Sequence, residues 1–77
     1  MQLEKAFSHA LKQARARAHL SQEQLALASG LDRTYVSLLE RGLRQPSLTT
    51  IFAIANALSI KPEDLILRVR EAVDENN

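Results

Sequence analysis

Arg33, Thr34, Ser37, Leu38 and Arg41 are the side chains of this sequence whose types and spacing best suit contact with a charged partner. On a helix, at about 100° per residue, they fill an arc of roughly 140°, while Tyr35, Val36 and Leu39 cluster on the other side. The arc carries hydrogen-bond donors and methyl groups and no carboxylate, which a phosphate backbone would repel. Arg33, in the first turn, has a two-pronged guanidinium that matches the acceptor edge of guanine. Thr34 and Ser37 can hydrogen-bond a base edge, and Thr or Leu methyls can meet a thymine methyl. The alternative is a merely solvated face. Such a face would usually mix acids with bases, and a bare Leu38 would be odd in it.

Other chemistries lack their parts. No glycine-rich phosphate loop and no nucleophile–base pair appears, so no catalytic residue and no enzyme is expected. There is no cysteine, and His9 and His19 stand ten residues apart without companion ligands, so neither a disulfide nor a metal is expected. No cofactor or small-molecule ligand is evident. The N-terminus lacks a charged-then-apolar signal pattern, and the longest apolar run is far short of a membrane span. A cytoplasmic protein without a membrane partner is expected.

The elements that would hold the donor arc are marked by capping residues. Helix 1 is expected over roughly Leu3 to Ala18, burying Phe7, Ala10, Leu11 and Ala14. His19 takes the turn, since His tolerates left-handed backbone better than most residues with a side chain. Ser21 and Gln24 form a capping box flanked by Leu20 and Leu25 as a hydrophobic staple, so helix 2 starts at Gln22, and Gly30 ends it. Asp32 caps helix 3, stapled by Leu31 and Val36, and Gly42 stops it. Leu43 to Pro46 is a loop. Ser47 caps helix 4, whose Leu48, Ile51, Ile54, Ala55 and Leu58 share one face. Pro62 opens helix 5, followed by Glu63 and Asp64 where the helix dipole favours anions, with Ile60 and Leu65 as a third staple. Residues 74–77 are expected to fray. The sum is an all-α, five-helix domain over 1–77, with two short capped helices joined by a tight turn at about 21–42, a helix-turn-helix.

Seventy-seven residues, 45% hydrophobic and 25% charged, make one ordinary globular domain. So small a core usually gains support from disulfides, metals or oligomerisation, and only the last remains. The net charge of +1 is unevenly spread: residues 1–46 hold seven Lys/Arg against four Asp/Glu, and residues 47–77 hold three against five. The basic half suits a polyanion; chance scatter is the alternative. On the helix 5 wheel, over about 62–73, Leu65, Ile66, Val69, Ala72 and Val73 span roughly 120° and cover the core. Leu67 points almost opposite to Leu65. With Ile66 and with Phe52 on helix 4 it extends into a small apolar patch, the expected dimer contact.

The stretch from Ser21 to Ile60 resembles the lambda-repressor-like, or XRE, helix-turn-helix family. The most specific pieces are Leu25-Ala26, Gly30, Glu40-Arg41-Gly42, Pro46-Ser47-Leu48 and Leu58. Within the family, the string LDRTYVSLLERG most resembles the controller proteins of restriction–modification systems, which are stand-alone dimers of about this length. The resemblance implies that helix 3 enters the major groove of double-stranded DNA, with Arg33, Thr34 and Ser37 on base-contacting positions and Leu38 beside them. It places Gln22, Arg41 and Arg44 on phosphate-facing positions. Tyr35 either reaches the backbone through its hydroxyl or packs its ring on the scaffold. Leu38 stands where relatives often carry a polar reader. His19 and Ser59 stand where they commonly carry glycine, which implies slightly strained turns.

Glu40 lies on the border of the helix 3 core face, and Arg15 occupies the family position that pairs with it. The resemblance implies a largely buried bridge between helices 1 and 3; the alternative is an exposed, unpartnered Glu40. The expected function is a transcriptional regulator that binds a near-palindromic operator as a homodimer. The competing reading is an antitoxin or protein-interaction module on the same fold.

Overall fold

Five helices make up the computed structural model, which describes residues 2–75: α1 (Leu3–Arg17), α2 (Gln22–Ser29), α3 (Arg33–Glu40), α4 (Leu48–Ala57) and α5 (Pro62–Glu75). Three of the starts carry side-chain caps where the sequence puts them. Ser21 Oγ accepts from the Gln24 amide at 3.0 Å, and Gln24 Oε1 accepts from the Ser21 amide at 2.8 Å, completing the box. Asp32 Oδ1 accepts from the Thr34 amide at 3.2 Å, and Ser47 Oγ from the Thr50 amide at 3.1 Å.

The first four helices all end in one way. After α1, α2, α3 and α4 the chain reverses through a residue with positive φ: His19 at 58°, Gly30 at 72°, Gly42 at 72° and Ser59 at 57°. Each reversal carries the same two backbone bonds, closing the last carbonyls of the helix in a Schellman pattern. For α2 these are Leu31 to Ala26 at 3.0 Å and Gly30 to Leu27 at 3.4 Å; for α3, Leu43 to Leu38 at 3.0 Å and Gly42 to Leu39 at 3.1 Å. Two of the four turns thus hold a side chain in a region that favours glycine, at about 1–2 kcal/mol each. Glycine at position 42 meets a second demand: a Cβ there would come within 3.3 Å of Lys5 Cγ on α1.

The staples lock these turns onto the core. Leu25, Val36 and Leu65 are fully buried, and Leu20, Leu31 and Ile60 pack against the same cluster from outside each helix start. The core is aliphatic apart from Phe7. Ala6, Phe7, Ala10, Leu11 and Ala14 of α1 meet Leu39 of α3, Ile54, Ala55 and Leu58 of α4, and Leu65, Val69 and Ala72 of α5. Three buried alanines on α1, Ala6, Ala10 and Ala14, let its backbone lie close against α5 and α3.

Two parts of the expected fold shift, one face and one boundary. Leu48 does not share the buried face of α4: it is 70% exposed, whereas Ile54, Ala55 and Leu58 are buried. A wheel angle says which way a side chain points, not whether a neighbour lies there, and at the first position of α4 none does. At the other end, α5 runs on through Asp74 and Glu75 as helix, and residues 76–77 lie outside the described residues.

Candidate nucleic-acid interface

The donor arc sits on α3, and the fold presents it by burying the opposite side. Val36 and Leu39 are fully buried and the Tyr35 ring packs partly buried against the core, so α3 cannot turn without exposing them. Arg33 and Thr34 are then exposed in the first turn, Ser37 and Leu38 half-buried in the middle, and Arg41 exposed at the end. Two carboxylates belong to this segment. Asp32 is exposed but its Oδ1 is engaged by the Thr34 amide, and Glu40 is buried at 3% exposure. Leu38, only partly exposed, is less bare than a wheel alone suggests.

Arg44 follows in the loop after α3, exposed, its guanidinium resting on the Leu43 carbonyl at 3.5 Å. The Tyr35 ring packs partly buried against the core, which still leaves its hydroxyl able to reach outwards, and among the described residues that hydroxyl has no hydrogen bond. Phe52, Ile66 and Leu67, the residues of the expected dimer patch, are 55%, 45% and 44% exposed on α4 and α5.

Behind the arc lies the ion pair. Arg15 Nε donates to Glu40 Oε2 at 2.5 Å and Arg15 Nη2 to Glu40 Oε1 at 2.9 Å, a two-pronged contact between α1 and the last residue of α3. Arg15 Nη1 donates to the Leu20 carbonyl at 2.8 Å, so the same guanidinium also holds the turn that leads into α2. The hydrogen bond to Glu40, then its charge, raise the Arg15 pKa above its ordinary value, against the lowering effect of burial. The alternative of an exposed, unpartnered Glu40 is set aside.

Gln22 lies closer to this pair than the sequence reading had it. Its Nε2 donates to Glu40 Oε1 at 3.1 Å, making Glu40 the meeting point of α1, α2 and α3. No spacing in the sequence signals this bond, because the two residues are eighteen apart and on different helices. A second long-range contact, from Gln45 Nε2 to Glu4 Oε2 at 3.3 Å, ties the loop after α3 to α1 and was likewise not foreseen.

Among the described residues no group of three or more His, Cys, Asp or Glu side chains is placed to hold a metal. No helix among them is long and apolar enough to cross a membrane.

The comparisons with known proteins agree with this arrangement. A helix-turn-helix family model matches residues 11–65. The chain is 43% identical over 61 residues to the control protein C.BamHI of Bacillus amyloliquefaciens, covering 78% of this chain and 75% of that one. Among solved structures, the restriction–modification controller protein C.AhdI of Aeromonas hydrophila is 47% identical. It superposes with a TM-score of 0.78 over 80% of this chain and 94% of that one. The controller protein C.Esp1396I, solved as a tetramer with its natural 35-base-pair operator, is 27% identical with a TM-score of 0.86, covering 95% and 96% of the two chains. With half the chain and more inside the family model, and with capped helices, turn and ion pair in place, this protein belongs to the XRE-type helix-turn-helix family of DNA-binding regulators and is similar to restriction–modification controller proteins.

Proposed function

We propose that the protein is a transcriptional regulator that binds a near-palindromic operator as a homodimer, with 1–77 acting as one DNA-binding unit in the cytoplasm. The observation that carries this reading is the outer face of α3: exposed donors, no free carboxylate, and a buried back that fixes their direction. In this reading α3 lies in the major groove, where Arg33, Thr34 and Ser37 contact base edges and Leu38 meets a methyl group. Arg41, Arg44 and Gln22 grip phosphates on either side, and Tyr35 adds a contact through its hydroxyl. Phe52, Ile66 and Leu67 bury against a second copy. The relatives support the wider setting, since C.Esp1396I is an oligomer on its operator.

Selection of bound duplexes from a random pool by the purified protein tests the proposal. Enrichment of a site with two-fold symmetry and half-sites about one helical turn apart is the expected result. Enrichment of no sequence would leave the antitoxin or interaction-module reading in its place.

Arg33 and Arg44 should separate the two kinds of contact. Arg33→Ala is expected to cost about 1–3 kcal/mol on the best site and to relax preference at one base pair of each half-site. Equal weakening on selected and random duplexes would make Arg33 a phosphate contact only. Arg44→Ala, by contrast, should weaken all duplexes alike and reduce the slope of log affinity against log salt by about one per protomer. An unchanged slope would remove Arg44 from the interface.

A further inference from the structure

Glu40 Oε1 accepts from Arg15 Nη2 and from Gln22 Nε2, while Oε2 takes Arg15 Nε, so the carboxylate organises three donors at once. An ionised carboxylate is an acceptor only, and it admits only the nitrogen end of the Gln22 amide. The last torsion of a glutamine is otherwise broad and roughly two-fold, leaving oxygen and nitrogen free to exchange places. Held by Glu40, the Gln22 nitrogen still has one N–H to give. A phosphate oxygen, also an acceptor only, requires that N–H and would be repelled by the amide oxygen.

Two neighbours make the arrangement work beside DNA. Arg15 is bonded to both oxygens of Glu40, so its charge offsets the buried carboxylate and a phosphate at Gln22 meets little repulsion. Ser21 and Gln24 fix the backbone from which Gln22 springs, because the capping box closes directly around the first residue of α2.

We infer that Glu40 is a positioning residue for DNA binding: its carboxylate sets the Gln22 amide nitrogen-inward, so that the second N–H is already oriented towards a backbone phosphate. The inference rests on the proposed phosphate contact of Gln22 and adds to it the group that orients the amide. It makes the scaffold pair part of the binding surface rather than only its support.

A double-mutant cycle tests it, with affinity measured on a short duplex carrying the site that the wild type selects, at a temperature where far-ultraviolet circular dichroism shows every variant folded. Gln22→Ala should weaken binding roughly tenfold per protomer, the range of a hydrogen bond to a charged group. Glu40→Gln offers one acceptor oxygen to three donors and no longer dictates the flip. It should weaken binding several-fold in the wild-type background and less than about twofold in the Gln22→Ala background, because little remains to be positioned. If Glu40→Gln weakens both backgrounds by one factor, or neither, Glu40 does not act through Gln22 and the inference fails while the phosphate contact stands. If Gln22→Ala binds as the wild type does, the phosphate contact fails and the inference with it.

Should Glu40→Gln not fold, side-chain relaxation in the free wild type decides. The Gln22 amide should be nearly as ordered as rigid backbone, with an order parameter near ~0.85, while that of exposed Gln13 falls below ~0.6. A Gln22 amide as mobile as Gln13 would overturn the inference.

Discussion

Glu40→Ala is expected to lower the melting temperature by roughly 12–24 °C, a loss of about 3 kcal/mol in a domain of this size. The value sits at the lower end of the range for breaking a buried ion pair, and the reason is geometric. Glu40 is 3% exposed, but the Arg15 side chain left behind is 22% exposed and keeps its bond to the Leu20 carbonyl. Water reaches the stranded guanidinium in part, which softens the penalty without removing it. The Gln22 amide also loses its acceptor, and α3 loses the tie that holds its C-terminal end to α1. Glu71→Ala, an exposed change on α5, should stay within about 0.5 kcal/mol of the wild type and serves as the control. Thermal melts followed by circular dichroism compare the two, and equal melting temperatures would show that the pair contributes nothing to stability. The effect should be constant across neutral pH. Glu40 raises the folded-state pKa of Arg15, so the stability it contributes is fully present below the unfolded value and is lost only as pH rises through the folded value, in strongly alkaline solution.

The parts of this fold that were legible in the sequence are those governed by neighbours in the chain. A cap is decided by a side chain and an amide two or three residues away, so Ser21, Asp32 and Ser47 announce α2, α3 and α4 directly. The same holds for the turns: Gly30 and Gly42 are punctuation, and His19 was readable because few other side chains tolerate its conformation. Leu48 was misread because burial depends on what lies opposite, which a wheel does not contain. The Gln22–Glu40 bond was not legible at all. It needs α1, α2 and α3 to converge first, and only then does an amide at the start of one helix find a carboxylate at the end of another. The site therefore divides: the types of its donors are local and could be read, while the network that orients them is tertiary.

Leu67→Glu is expected to shift the protein from dimer to monomer and to weaken operator binding by about 100-fold or more, while leaving its helical content intact. The argument starts from exposed apolar surface. Leu67, Ile66 and Phe52 are each about half exposed, and Leu48 at 70% adds to the same helix as Phe52, one turn away. Ile66 also lines an apolar cleft with Leu3, Phe7, Pro46, Ile51 and Val69, so the exposed residues border a surface that is already hollowed. A standard interface buries about 800 Å² per partner, roughly one-sixth of the 4818 Å² that this chain exposes. A glutamate at position 67 would have to be buried without a partner in that interface, whereas in the monomer it lies in water at no cost. The core is untouched, because Leu65, Val69 and Ala72 face the other way. Loss of affinity follows from linkage: in a dimer the second half-site is bound at an effective concentration set by the first, and a monomer forfeits that gain. Sedimentation at micromolar concentration and titration of the selected duplex measure the two effects together. A wild type that sediments as a monomer and selects a site without symmetry would sink the dimer, and a variant that dimerises as well as the wild type would place the two-fold axis on another face.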